Sequence, residues 1–469
     1  MKPAALLLGL ACAVAGCSLA PDYKRPAVAT PAAFSGASAP DGWKLAEPAD
    51  SLDPDAWWTR FNDPLLDALE ARVTVGNQNL AAAVARYDQS RALAGIARAA
   101  TLPSLNLNAS ASRARTSENA PRRATRLVND DLVLGISLGY EIDVWGRVRN
   151  AVAAGDARMQ ASAADLDTLR LGLRAELAAN YFSLRGQEQT RRVLETSLAA
   201  FADALALAER RHAGGLVTEL DVNQARLQVE NTRATLAELR LHSAQLRNAI
   251  ALLVGEPAPG FALADGALPA APPPVQPGQP SALLERRPDV AAAERRVFAS
   301  NADIGVARAA WFPTFSLGAA LGSEATRGAD WLLAPSRFWS LGPAAAFNLF
   351  DNGRIAGNVA AARAAHEEAS ANYRQTVLVA WREAEDSLAA IRELADEAAH
   401  QQAAEDAAQR AFEQARRQYE GGLVTFLPVA NAQAALAQAQ QAGIGLKVAE
   451  LSARVQLIRA LGGGWRAAE

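Results

Sequence analysis

Gly214-Gly215-Leu216-Val217-Thr218 is repeated letter for letter as Gly421-Gly422-Leu423-Val424-Thr425, 207 residues further on. The same offset carries Gly146-Arg147-Val148 to Gly353-Arg354-Ile355, and Gly255 to Gly462. Gly95-Ile-Ala-Arg-Ala-Ala-Thr-Leu-Pro-Ser-Leu105 returns as Gly305-Val-Ala-Arg-Ala-Ala-Trp-Phe-Pro-Thr-Phe315, at an offset of 210. Landmarks kept in order at near-constant spacing mean one structural unit written twice. Two copies of this length are too few and too long for an ordinary solenoid.

The glycine pairs stand where long helical patterns stop. From Gly146 to Gly214 there is no proline and the apolar spacing is helical throughout. At a rise of 1.5 Å per residue this is a helix roughly 90–100 Å long. A second helix is expected from Thr218 to about Val254, and the second copy repeats both, from Arg354 to Glu420 and from Thr425 to Leu461. Such lengths point to coiled-coil packing or a helical tube. Each glycine pair then turns a long helix back into a hairpin.

Upstream of each long helix the period changes from helical to alternating. Asp63-Pro64 to Ala100 reads as helix through Leu66, Leu69, Val73, Leu80 and Val84, and Pro103 stops it. From Ser104 to Ser112, small or polar residues alternate with Leu105, Leu107, Ala109 and Ala111. Leu132, Leu134, Ile136, Leu138, Tyr140 and Ile142 then point one way, and Val133, Gly135, Ser137, Gly139, Glu141 and Asp143 the other. The second copy matches with Phe315, Leu317, Ala319 and Leu321, then with Trp339, Leu341, Ala345, Phe347 and Leu349. Pro343 is awkward within a ladder. Alternation alone also suits half-buried soluble strands, but strands of this length, small on one face and apolar on the other, with Trp145, Trp311, Phe312, Trp339 and Phe350 near their ends, fit a membrane barrel wall. Four strands cannot close a barrel, so several protomers would share one wall. Between the first two strands, Arg113 to Asp131 carries Arg113, Arg115, Arg122, Arg123 and Arg126, a basic run with the character of a solvated loop.

The amino terminus reads as an export signal. Met1-Lys2-Pro3 precedes an apolar run from Ala4 to Ala15, too short to span a bilayer, and Val14-Ala15-Gly16-Cys17 has the form of a bacterial lipobox. The other cysteine, Cys12, lies within the signal, so no disulfide is expected in the mature chain. Half the residues are hydrophobic and the net charge is −3, which gives no footprint for nucleic acid. The division expected is a signal peptide over 1–16, a lipid-anchored extended segment over 17–60, a first repeat over 61–255, a Pro/Gly-rich linker over 256–280 and a second repeat over 281–469.

These features together resemble the TolC-like outer membrane factors, and within them the OprM-type lipoproteins. The residues that carry the match are Cys17-Ser-Leu-Ala-Pro-Asp-Tyr-Lys-Arg-Pro26, Trp57-Trp58 and Phe61-Asn-Asp-Pro-Leu65. Tyr140-Glu-Ile-Asp-Val-Trp-Gly-Arg147, Arg286-Arg-Pro-Asp289, Ala309-Ala-Trp-Phe-Pro313 and Ala460-Leu-Gly-Gly-Gly-Trp465 continue it. The resemblance implies a mainly α fold with membrane β: two repeats, each of long helical hairpins plus two transmembrane strands. It implies a homotrimer whose twelve-stranded barrel stands on a periplasmic helical tube. Lipidation at Cys17 would fasten it to outer membrane lipid. A periplasmic adaptor and an inner-membrane resistance–nodulation–division pump would be its partners, and the chain a passive exit duct for drugs or other small molecules.

By the same resemblance the tips Gly214, Gly215, Leu216, Val217, Thr218, Gly421, Gly422, Leu423, Val424 and Thr425 would meet the adaptor. Glu219, Asp221, Tyr419, Pro428 and Asn431 would form the periplasmic gate. Pro428 and Asn431 occupy places where the family's TolC carries acids, and Val424 a place where it uses arginine, so an arginine–acid lock is not expected there. Pro428 could instead bend or stiffen the mouth. His212, His242, His366 and His400 lack metal-ligand spacing, and no phosphate loop or nucleophile motif appears, so no catalysis, metal or cofactor is expected. The competing readings are a channel for type I protein secretion and a lipid-anchored periplasmic coiled-coil scaffold.

Overall fold

A computed structural model of the chain describes residues 18–31, 34, 56–119, 128–269 and 286–463. The signal peptide, Cys17, Arg122, Arg123, Arg126 and the closing Gly464-Trp465 lie outside the described residues. The elements in chain order are α1 (Pro64–Gly76), α2 (Gln78–Ala99), β1 (Ser104–Arg115), β2 (Val128–Ile142), α3 (Arg147–Ala213) and α4 (Glu219–Leu253). They continue with α5 (Pro288–Ala309), β3 (Thr314–Ala325), β4 (Arg337–Ala346), α6 (Arg354–Glu420) and α7 (Phe426–Ala460). The chain is mainly helical, with α3 and α6 of 67 residues each and α4 and α7 of 35 each, so the duplication holds to the residue. Among the described residues no helix is long and apolar enough to cross a membrane. The chain packs as two compact units, and each takes segments from both copies.

One unit takes its described residues from the ranges 1–27, 86–163 and 292–374 and contains the sheet, an antiparallel meander in the order β1-β2-β3-β4. Its register sorts the faces as the alternation requires. Leu107, Ile136, Leu321 and Trp339 form one row across the sheet, and Leu105, Leu138, Ala319 and Leu341 another. The opposite face carries the row Ser104, Gly139, Gly318, Gly342, and Asn108 donates to Ser137 at 3.0 Å there. Where Gly135 and Gly322 pair, the Phe338 ring covers both, and a side chain at Gly322 would meet it. Leu105, Leu107, Leu321, Trp339 and Leu341 are exposed, so the middle of this face is apolar and uncovered. β1 and β4 are edge strands.

The strands differ from expectation at three places. β1 continues to Arg115 and β2 begins at Val128, so Arg113 and Arg115 belong to the ladder rather than to a loop. Arg113 stands opposite Asp130 and pairs with it at 3.5 Å, which compensates its charge at the strand end. β4 stops at Ala346, opposite Thr314, and leaves out Phe347 and Leu349. The residue preceding Thr314 is Pro313, which has no N–H with which to extend the ladder. Pro343 is accommodated opposite Leu317 because β4 is an edge. Trp145 stacks on Phe312 with centroids 4.6 Å apart, and its indole N–H donates to the Pro313 carbonyl at 2.8 Å.

The amino-terminal residues 18–26 run as an extended strap on α5. The Ser18 hydroxyl donates to Asn150 at 3.1 Å, Arg308 donates to the Leu19 carbonyl at 3.3 Å, and Asn301 donates to the Pro21 carbonyl at 2.8 Å. Tyr23 donates to Glu294 and sets its ring edge-on to Phe298. Gly305 lies where a side chain would collide with Ala20 and Asn150, so glycine here makes room for the strap.

The other unit takes its described residues from the ranges 28–85, 164–291 and 375–469. The helix expected from 63 to 100 is broken at Asn77, between α1 and α2. Asn77 accepts from the Leu80 amide at 3.0 Å and so caps α2, while its side-chain amide donates to the Leu253 carbonyl at 2.8 Å. A side-chain carbon at Gly76 would run into the Val254 carbonyl, and one at Gly255 into Gly76, so two backbones touch here. The second copy makes the same junction with other residues. Arg287 donates to the Ala460 carbonyl at 2.9 Å, and Gly462 lies against the Arg286 carbonyl. The Arg286-Arg-Pro-Asp289 motif therefore fastens the end of α7, with Arg287 further held by Asp289 and Glu383 at 2.7 and 2.9 Å. The described part of the linker, 256–269, has no helix or strand but is tied down. Buried Arg185 pairs with buried Glu188 at 2.6 Å and donates to the Ala264 carbonyl, and Glu188 accepts from the Gly266 amide at 3.2 Å.

Candidate docking and gating site at the hairpin tips

Both tips close with the same backbone. In the first, Leu216 N–H bonds to Arg211 O and Gly215 N–H to His212 O, each at 2.8 Å. In the second, Leu423 N–H bonds to Gln418 O at 2.9 Å and Gly422 N–H to Tyr419 O at 3.0 Å. This nested pair of bonds is the Schellman motif, which needs a left-handed residue at its centre. Gly215 and Gly422 supply it, each with φ of 73°. Gly214 and Gly421 have ordinary φ and give the turn only their small size. Leu216 and Leu423 then point outward and are 78% exposed at both tips. Val217 and Val424 are half-buried, and Thr218 and Thr425 precede the returning helices.

One turn further the copies diverge. Thr218 and Asp221 form a reciprocal capping box, with the Thr218 amide donating to the Asp221 carboxylate at 3.0 Å. Thr425 makes no side-chain cap. The reason lies at the third helical position, which is Asp221 in the first copy and Pro428 in the second. A cap residue accepts from that position's amide, and proline has none. Pro428 is in the first turn, where its missing N–H breaks no intrahelical bond, and α7 runs unbroken from Phe426 to Ala460.

Between the hairpins lies an apolar cluster of Ala208, Val222, Ala225, Phe426, Val429 and Ala430. Phe426 is its large member, and the equivalent position in the first copy is the exposed Glu219. Tyr419 leans on this cluster, edge-on to Phe426 with centroids 5.6 Å apart. Its hydroxyl accepts from Arg211 at 2.9 Å, and the same guanidinium lies 4.8 Å above the ring. Of the five candidate gate residues, Tyr419 thus joins a contact between α3 and α6, and Asp221 serves its own helix start. Glu219, Pro428 and Asn431 are exposed and are not brought together with it.

Sequence reasoning missed Arg211 and Phe426 as members of this site. Phe426 had a visible signal, a buried-type residue facing an acid across the repeat. Arg211 had none, since its partner stands 208 residues away.

The family described as outer membrane efflux protein matches residues 71–256 and 279–463, once for each copy. The pyoverdine export outer membrane protein OpmQ of Pseudomonas aeruginosa is 35% identical over 446 residues, covering 93% of this chain and 94% of that protein. The toluene efflux pump outer membrane protein TtgF of Pseudomonas putida is 32% identical and covers 99% of this chain and 98% of its own length. The solved structure of the outer-membrane channel OprN superposes with a TM-score of 0.89 at 30% identity, over 96% of this chain and all of that one. The doubled hairpins, the four-stranded sheet and these matches over nearly the whole length agree: the chain belongs to the outer membrane efflux protein family and is an outer membrane efflux channel.

Proposed function

We propose that this channel works as a homotrimer, the exit duct of a tripartite system in which an inner-membrane resistance–nodulation–division pump and a periplasmic adaptor supply energy and cargo. The observation that carries this reading is the open four-stranded sheet with an apolar exposed face and two edge strands. Unpaired backbone groups at such edges cannot face hydrocarbon, so the sheet must close with other copies. Three copies give twelve strands and six similar hairpin tips. The adaptor docks on those tips through Leu216 and Leu423, and the mouth is held by Arg211, Tyr419 and Phe426. The chain has no catalytic role.

The docked strap supports a lipid anchor at Cys17. Ser18, next in sequence, is fixed to Asn150 near the start of α3, directly after β2. An acylated Cys17 would there enter the same bilayer as the strands. The cargo is set by the pump, since channels named for pyoverdine and toluene align with this chain at similar identity. Heat-modifiable migration of a trimer on gels and single-channel conductance in planar bilayers test the assembly. A monomer without conductance would refute it. Deleting the gene should raise susceptibility to small toxic molecules and leave secreted proteins unchanged. The opposite pattern would assign the duct to type I secretion.

A further inference from the structure

The turn between β3 and β4 folds back over the apolar side of the sheet instead of standing away from it. Ser323 and Ala325 share a face with Leu321 and Trp339, yet they are only 9% exposed, whereas Trp339 is 80% exposed. What covers them is the turn itself. The Ser323 hydroxyl lies within hydrogen-bond reach of the carbonyls of both Trp331 and Ser336. The turn is braced internally, with the Ser336 hydroxyl donating to the Asp330 carbonyl at 2.8 Å and short 3-10 turns at Gly328–Asp330 and Ala334–Ser336. This ordered turn presents Leu332 and Leu333 outward, 71% and 51% exposed. Arg327 and Arg337 flank it, and Arg113 and Arg115 lie at the same end of the sheet on the same face.

Adjacent exposed leucines on a braced turn that lies over the end of the sheet face make an apolar patch. If that face meets hydrocarbon, whatever lies over its end must suit the adjoining leaflet: apolar groups toward the acyl chains, cations toward anionic headgroups. We infer that the β3–β4 turn is a membrane anchor, seating Leu332 and Leu333 in the anionic glycolipid leaflet of the outer membrane with Arg327 and Arg337 at its phosphates. The inference rests on the reading of the apolar sheet face as lipid-facing. It assigns the turn a lipid surface as partner, and it gives a reason why the turn is not the polar, freely solvated loop usual between barrel strands.

The test uses nitroxide labels at Leu332→Cys and Leu333→Cys in the full chain, reconstituted in bilayers containing lipopolysaccharide. Leu321→Cys on the sheet face and Leu216→Cys on a hairpin tip serve as lipid and water references, and the unsubstituted chain gives the background from Cys17. Relaxation by oxygen is compared with relaxation by a water-soluble nickel chelate. The oxygen-to-nickel ratio at both leucines is expected to be several-fold above that at Leu216 and close to that at Leu321. A ratio equal to that at Leu216 would place the turn in water, and shielding from both reagents would place it against protein; either overturns the inference while leaving the barrel reading intact. A water-like ratio at Leu321 would overturn both.

Discussion

Gly422 and Gly462 share a left-handed backbone, with φ of 73° and 85°, but not their surroundings. Nothing lies near the place a side chain would take at Gly422, whereas at Gly462 it would overlap the Arg286 carbonyl. Gly422→Ala therefore pays only the conformational penalty, about 1–2 kcal/mol. Gly462→Ala adds a displaced backbone junction, so its loss of thermal stability, measured by calorimetry in detergent at one scan rate, is expected to be at least twice as large. Glu70 gives a second residue-level prediction. It is fully buried, and neither carboxylate oxygen has a hydrogen-bond partner among the described residues. Burial, outweighing nearby Arg174 and aided by Asp67, pushes its carboxyl well above the usual range. The folded chain then holds a proton that the unfolded chain has lost, so stability falls as pH rises from the ordinary glutamate value to the raised one. Glu70→Gln removes this titration. Its melting temperature relative to the parent should climb with pH over that window, and a constant difference would show that Glu70 does not titrate there.

At the scale of elements, the sequence made the long helices legible because nothing competes with their periodicity. α3 and α6 end at the glycine pairs where the repeat is most literal, and the alternation at Leu132–Ile142 sets the sheet faces correctly. What it hid depends on distant partners. The break at Asn77 is only half local, because Asn77 caps α2 through the nearby Leu80 amide but is also fixed by donating to Leu253, far along the chain. Arg113 and Arg115 look like loop residues until Asp130 is seen opposite. The end of β4 at Ala346 depends on Pro313, the residue before its neighbour β3. The tip region was located by the repeat, but the clasp between Arg211 and Tyr419 could not be read from either copy alone. The lost cap at the second tip yields a prediction of its own. Pro428→Asp supplies both the amide that the Thr425 hydroxyl lacks and a carboxylate to reciprocate. It should stabilise the first turn of α7 by about 0.5–1 kcal/mol. Slower amide hydrogen exchange in that turn, with no change in α4, is the expected reading.

In the whole molecule, the two copies differ where gating would differ and agree where docking would agree. The exposed leucines are equivalent to the percentage point, whereas Phe426 and Tyr419 have Glu219 and His212 as their counterparts. A trimer would thus offer six like docking surfaces but only three Arg211–Tyr419 clasps. Under the proposed division of labour the two functions separate by mutation. Leu216→Asp with Leu423→Asp puts a carboxylate on each exposed tip, where it disturbs no core. It should leave trimer and conductance unchanged and abolish efflux in cells, with each single substitution giving an intermediate loss. Arg211→Ala removes the hydrogen bond and the cation above the Tyr419 ring, together worth about 1–2 kcal/mol in each protomer. It should raise single-channel conductance and admit large antibiotics from outside, while efflux through the assembled system persists. Tyr419→Phe keeps the ring contacts and loses the hydroxyl, so its conductance should fall between the two. Efflux lost with Arg211→Ala at parental conductance, or conductance raised by the leucine substitutions, would mean that docking and gating use the same residues.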